Sequence, residues 1–177
     1  MLNQIAAATL LPDPLHPAIV HMPIALMVLV PAFAAGALWA IKRGAAPLRA
    51  WGITTALLAA LALSAWASLE TGDSQGERVE KIVAEAPLET HEEAAETFLT
   101  LSVIVLGIAV LGLRNGKLGS GARLVASAGT LGLLIAGYNV GHSGGALVYT
   151  HGAATAYTSG ASARAVAGAD GDGEDRR

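Results

Sequence analysis

The chain has 177 residues, of which 53% are hydrophobic and only 14% are charged, and its formal net charge is -3. Its mean hydropathy of +0.52 is too high for an ordinary soluble domain, so the composition indicates a membrane protein, and nucleic acid is not an expected partner. The chain contains no cysteine, which excludes disulfides, thiolate metal sites and covalent attachment of c-type haem.

Four apolar runs are long enough to cross about 30 Å of hydrocarbon as helices that rise about 1.5 Å per residue. In chain order they are Ile19 to Ile41, Leu48 to Leu69, Ala94 to Leu113 and Ala122 to Val140. None has Asp, Glu, Lys or Arg in its middle. We therefore predict an all-α fold, a four-helix transmembrane bundle occupying residues 16–153.

The segments outside these four spans are also interpretable from their residues. Residues 1–15 are predicted to lie on the outer membrane surface, and they lack the basic region of a cleaved signal peptide. Gly76 to Ala86 carries apolar residues at helical spacing and predicts a short amphipathic helix at the outer interface. Thr90 and Glu93 form a capping-box pattern that starts helix 3 near His91. Residues 154–177 are small and polar, which predicts a disordered tail.

Charge sets the expected orientation. The links over residues 42–49 and 114–123 hold six basic residues and no acidic one, whereas the carboxylates cluster around the middle loop and in the termini. By the positive-inside rule the basic links are cytoplasmic, so both termini face the periplasm of a bacterial inner membrane. Aromatic residues fit belts at both interfaces. These are Trp39 and Trp51 on the inner side and Trp66, Phe98 and Tyr138 on the outer side.

All histidines fall on the predicted outer side of the bundle. They are His16 and His21 at the start of helix 1, His91 at the start of helix 3, and His142 and His151 at or past the end of helix 4. Imidazole is a common ligand of metals and haem iron, and facing helices of a bundle suit axial ligation of b-type haem. We predict one or two b-type haems whose iron is held by His21, His91, His142 and His151, with His16 as a further cofactor-binding residue.

Other residues extend this prediction. Met22 is a soft alternative ligand, although a methionine at such a position also serves for packing. Arg78 and Lys81 are predicted partners of haem propionates, or else of neighbouring glutamates such as Glu77. Gly137, Gly141 and Gly145 form a stripe that lets a neighbouring helix or a flat ring approach the backbone.

Two motifs resemble the signatures of a known family. They are His16-Pro17-Ala18-Ile19-Val20-His21-Met22-Pro23-Ile24-Ala25 and Gly144-Gly145-Ala146-Leu147-Val148-Tyr149-Thr150-His151-Gly152. They are similar to the opening and closing signatures of bacterial membrane proteins catalogued as domain of unknown function 2231, and the Thr71-Gly72 turn and His91 also match. Met22 stands where the family usually has an aromatic residue. The resemblance, over about residues 14–153, implies a four-helix membrane domain, and family members fused to Rieske or c-type haem domains imply redox partners.

The leading hypothesis is an electron carrier of the respiratory chain rather than a stand-alone enzyme. It would bind haem iron at the periplasmic face and exchange electrons with quinol, a periplasmic cytochrome, a Rieske protein or a larger respiratory complex. Two alternatives stay open: a cofactor-free accessory subunit of a respiratory or transport complex, and periplasmic copper or zinc binding. No hydrolase motif such as HExxH is present in the sequence.

Overall fold

The computed structural model describes residues 14–158. The predicted surface segment before Pro14 and the predicted tail after Thr158 lie outside the described residues. A single helical turn, His16–Ile19, leads into helix α1, His21–Lys42. The following helices are α2, Pro47–Val79; α3, Glu85–Leu111; and α4, Gly116–Tyr149. Within residues 14–158 there are no strands, and four helices are long and apolar enough to cross a membrane, which confirms the all-α transmembrane bundle.

The helices pack in sequence order, and α1 also contacts α4, which closes the bundle. Short links over residues 43–46, 80–84 and 112–115 make consecutive helices antiparallel. Val30, Leu58, Leu61 and Leu133 are almost fully buried along the bundle axis. Large apolar residues such as Leu63 and Ile135 are two-thirds exposed on the outside, as expected for a surface that faces lipid.

Three helices extend beyond the predicted spans at one end of the bundle, which we call the histidine end. There α2 continues to Val79, α3 begins at Glu85 and α4 continues to Tyr149. Hydropathy marks the part of a helix that suits lipid, but it does not detect polar helical turns beyond the hydrocarbon. Hydroxyl groups in these turns bond within their own helix, as in Thr71 Oγ1 to the carbonyl of Ala67 at 3.0 Å.

The structure corrects several local predictions at this end. Residues 76–86 do not form a separate amphipathic helix, because 76–79 complete α2 and a turn follows. Thr90 does not cap α3 but donates to the carbonyl of Ala86 at 2.8 Å, so His91 lies in the second turn of that helix. Helix α4 runs without a break through Gly144 and Gly145. Residues 154–158, assigned from the sequence to a disordered tail, include a helical turn.

Buried polar bonds hold the opposite end of the bundle, which we call the basic end. Trp51 is fully buried rather than part of an aromatic belt, and its Nε1 donates to the carbonyl of Ala109 at 2.8 Å. Arg123, 5% exposed, donates from Nη1 to the carbonyls of Gly112 at 2.6 Å and Arg114 at 3.1 Å. Carbonyls at a helix C-terminus have no partner within the helix, so Arg123 satisfies the end of α3 from α4.

Among the other predicted belt residues, Phe98 is also buried, whereas Trp39, Trp66 and Tyr138 are exposed. The Arg43 guanidinium lies 5.2 Å from the centre of the Trp39 ring. Such a pair suits the membrane interface, where an aromatic ring and a cation share the headgroup region.

We expect Arg123→Ala to lower the free energy of unfolding by about 1–3 kcal/mol, because two carbonyls lose their buried donor. Equilibrium unfolding in mixed detergent micelles measures the change. Arg43→Ala is the matched control, since Arg43 is also basic but exposed, and it should cost less. Equal losses for the two variants would contradict the capping role of Arg123.

Candidate cofactor site

A cavity of about 620 Å³ opens at the histidine end between the four helices. This volume is within the range of about 300–1,000 Å³ that is usual for small-molecule and cofactor sites. Its floor is formed by Met27 and Phe98, and most of its walls are apolar. Residues from every helix line it, including Pro23, Ala65, Leu69, Ala95, Val140 and Leu147. The bundle therefore provides a largely apolar space near one membrane boundary.

His16 reaches this cavity from the turn that precedes α1. Its Nδ1 lies 2.8 Å from the carbonyl oxygen of Ser68 and 3.3 Å from Oγ1 of Thr71. A carbonyl can only accept a hydrogen bond, so Nδ1 carries the proton and Nε2 of the neutral ring keeps its lone pair. Gly72 makes room for the ring, because a Cβ there would lie 3.3 Å from Cε1 of His16.

His91 reaches the same cavity from α3. Its Nδ1 lies 3.0 Å from Oγ of Ser143 on α4. The Ser143 hydroxyl donates its own proton to the carbonyl of Val140 at 3.1 Å, so its oxygen is left to accept from Nδ1. A Cβ at Gly144 would lie only 2.9 Å from Cε1 of His91, which explains why this position is glycine.

The two imidazoles lie close together in an edge arrangement, with ring centres 6.4 Å apart and planes at 84°. A metal-bound imidazole nitrogen lies about 2.0–2.1 Å from the metal, and the ring centre lies about 1.1 Å further, so opposed ligands have centres about 6.3 Å apart. The hydrogen bonds to Ser68 and Ser143 use Nδ1 of each ring. The distance between the ring centres is close to this value, and Nδ1 of each ring is the nitrogen engaged with the protein.

The other three histidines are exposed and do not line the cavity. These are His21, His142 and His151. A helix turns about 100° per residue, so His142 points away from the direction taken by its neighbour Ser143. Its ring instead stacks on Tyr138, with centres 5.9 Å apart. Met22 is 59% exposed and is likewise outside the cavity lining.

The rim of the cavity is polar and includes the segment after α4. Asp73 and Glu92 are the acidic lining residues. Tyr157 also lines the cavity, and its hydroxyl lies 3.3 Å from Oε1 of Gln75. The Arg78 guanidinium lies 5.8 Å from the centre of the Tyr157 ring, which places Arg78 at the rim. Lys81 is exposed and outside the lining.

All five histidines were candidates from the sequence, whereas Thr71, Gly72 and Gly144 were noted only as part of the family resemblance and the two serines were not singled out. The supporting residues are the hydrogen-bond partners Ser68, Thr71 and Ser143 and the two glycines that adjoin the rings, Gly72 and Gly144. One feature of the sequence could have identified the two serines that contact the histidines. Both histidines are separated from the serine that they contact by 52 residues.

Known proteins give no further guide to the site. Within residues 14–158, no group of three or more His, Cys, Asp or Glu side chains is placed to hold a metal ion. No family model, curated protein or solved structure matches the chain. The chain is thus a multi-pass helical membrane protein with a two-histidine cavity, and the resemblance to the family of unknown function stays a prediction.

Proposed function

We propose that this protein binds one b-type haem at the histidine end and carries electrons there. His16 and His91 are the proposed axial ligands of the iron. The observation that carries the proposal is the pair of imidazoles, with ring centres 6.4 Å apart, that lines a largely apolar cavity. His21, His142 and His151 are exposed on the outside of the bundle and are not ligands in this proposal.

Haem fits this donor set better than a lone metal ion does. A structural zinc ion normally takes four protein ligands, whereas haem brings its own equatorial nitrogens and needs only the axial pair. The ring is also flat and largely apolar, like the space between the helices. When bound, haem supplies a one-electron change between ferric and ferrous iron.

The chain's own residues prepare the site for that group. The carbonyl of Ser68 and Oγ of Ser143 hold the protons of both rings on Nδ1, which orients Nε2 and makes each imidazole a stronger donor. Met27 and Phe98 close the floor and exclude water from the membrane side. Arg78, at the rim beside Tyr157, is the proposed partner of the propionates.

The histidine end is proposed to face the periplasm of a bacterial inner membrane, because basic residues concentrate at the other end. All five histidines lie at this one end, so a single haem here does not carry electrons across the membrane. Quinol, or a periplasmic cytochrome, Rieske protein or larger complex, completes the electron path. Asp73 and Glu92 at the rim favour a positively charged partner.

The test is to purify the protein in detergent and to titrate the haem-free form with hemin. We expect a red protein with one haem per chain, a low-spin ferric spectrum and a sharp visible band after reduction. A colourless protein that leaves added hemin with its free spectrum would overturn the proposal. Elemental analysis of that protein then separates the alternatives, because bound copper or zinc supports a metal-handling role and absence of metal supports an accessory subunit.

A further inference from the structure

The two histidines of the cavity occupy equivalent places in two helical hairpins. His16 precedes α1 and bonds to Ser68 on α2, while His91 lies in α3 and bonds to Ser143 on α4. The separation is 52 residues in each case. Consequently His91 follows His16, and Ser143 follows Ser68, by the same 75 residues.

The same shift relates core positions of the two hairpins. It pairs Val30 with Val105, Ala34 with Ala109, and Leu58 with Leu133. Every member of these pairs is buried, with at most 6% of its surface exposed. The links lie at 43–46 and 112–115, which are 69 rather than 75 residues apart (112 − 43 = 69), so the correspondence does not extend through them. The three exposed histidines have no such counterpart, since the shift pairs His21 with Glu96 and His142 with Ala67.

We infer that α1–α2 and α3–α4 are two copies of one hairpin, and that one atom at the equivalent place positions the histidine of each copy: the main-chain carbonyl of Ser68 and the side-chain Oγ of Ser143. The inference rests on the proposed function, because it describes how each half presents one axial ligand to a shared haem. The imidazoles of His16 and His91 meet between the two hairpins. Two equivalent side chains suit a single ligand with two similar faces, and a planar macrocycle has such faces. Haem is therefore held across the boundary between the halves.

The two copies differ in the atom that accepts the hydrogen bond from the histidine. Position 68 uses its main-chain carbonyl, whereas position 143 uses its side-chain Oγ. The Ser68 hydroxyl is separately engaged with the carbonyl of Ser64 at 2.9 Å. A substitution at 143 therefore removes the acceptor of the histidine, while the same substitution at 68 leaves it in place.

The experiment compares Ser143→Ala with Ser68→Ala in the full chain. Loss of a residue that hydrogen-bonds to a metal ligand typically weakens metal binding by about 10–100-fold. We therefore expect the hemin affinity to fall by about 10–100-fold in Ser143→Ala and by less than about twofold in Ser68→Ala. The midpoint potential of Ser143→Ala should also rise, because a less basic imidazole stabilises ferric iron less. Ser143→Thr restores the hydroxyl and should restore both values.

A second measurement uses the haem-free protein labelled with ¹⁵N-histidine, so that it reports on positioning even if hemin does not bind. Nitrogen chemical shifts should show Nδ1 protonated in both cavity histidines, with the His91 signals altered in Ser143→Ala and the His16 signals unchanged in Ser68→Ala. This result without hemin binding would overturn the proposed function and keep the positioning role. Hemin binding with equal, small effects of both variants, or unaltered His91 signals in Ser143→Ala, would overturn the inference.

Discussion

Replacing either His16 or His91 by alanine should abolish the low-spin haem spectrum, while alanine at His21, His142 or His151 should leave it unchanged. The centres of the first two rings lie 6.4 Å apart in the cavity, whereas the other three side chains are exposed outside it. Loss of a supporting partner costs about 10–100-fold in metal affinity, so we expect loss of a direct ligand to cost about 100-fold or more. The double variant should bind more weakly than either single variant, because each single variant still keeps one of the two proposed ligands.

Hemin titration followed by absorption and electron paramagnetic resonance distinguishes these variants. Each single variant should leave five-coordinate, high-spin iron if any haem stays bound. Added imidazole should partly restore the low-spin spectrum by replacing the missing ring. A low-spin spectrum that depends on His21 or His142 and not on His16 or His91 would assign the ligands to the outer surface and refute the cavity site.

The second large effect is expected at Gly144. A Cβ at this position would lie 2.9 Å from Cε1 of His91, closer than side chains pack, so alanine must displace the ring and valine must displace it further. A displaced ring loses its bond to Ser143 and its alignment with His16. We expect Gly144→Ala to weaken hemin binding by more than about tenfold, because loss of a hydrogen-bond partner of a metal ligand costs at least that much. Gly144→Val should abolish hemin binding.

Gly132→Ala is the matched control, because Gly132 lies outside the cavity lining and a Cβ there would meet nothing within 4 Å. Both glycines lie within α4, where replacing glycine by alanine favours the helix by about 1 kcal/mol. Unfolding of the haem-free variants should therefore show no loss of stability, and only Gly144→Ala should lose haem. Parallel loss of stability and hemin binding at Gly144 would indicate general disruption of the bundle instead.

The bundle itself was predictable from the sequence, because four apolar runs with no charge in their middle leave few other folds in a membrane. The ends of the helices were not predictable, because they lie in polar sequence. There the hydroxyls of Thr71 and Thr90 donate hydrogen bonds to carbonyls of their own helices, which continue beyond the apolar spans. The choice of ligands depends on this extension. With α3 beginning at Glu85, His91 is fixed on a packed helical turn rather than at an exposed helix start.

Local sequence did not distinguish the two histidines that line the cavity from the three that are exposed. His21 and His142 lie next to apolar residues, which favoured them as ligands, but rotation along the helix turns both outwards. The contacts that identify His16 and His91 join residues 52 apart, beyond the reach of any local motif. Only the repeated spacing of histidine and serine carries that information in the sequence.

The site combines a residue at the start of the described chain with one on its last long helix. His16 precedes α1, and the partner of His91 is Ser143 on α4. A nascent chain still lacking α4 therefore has neither the closed bundle nor the acceptor for His91. Under the proposed function, we therefore expect the protein to acquire its haem only after all four helices have entered the membrane.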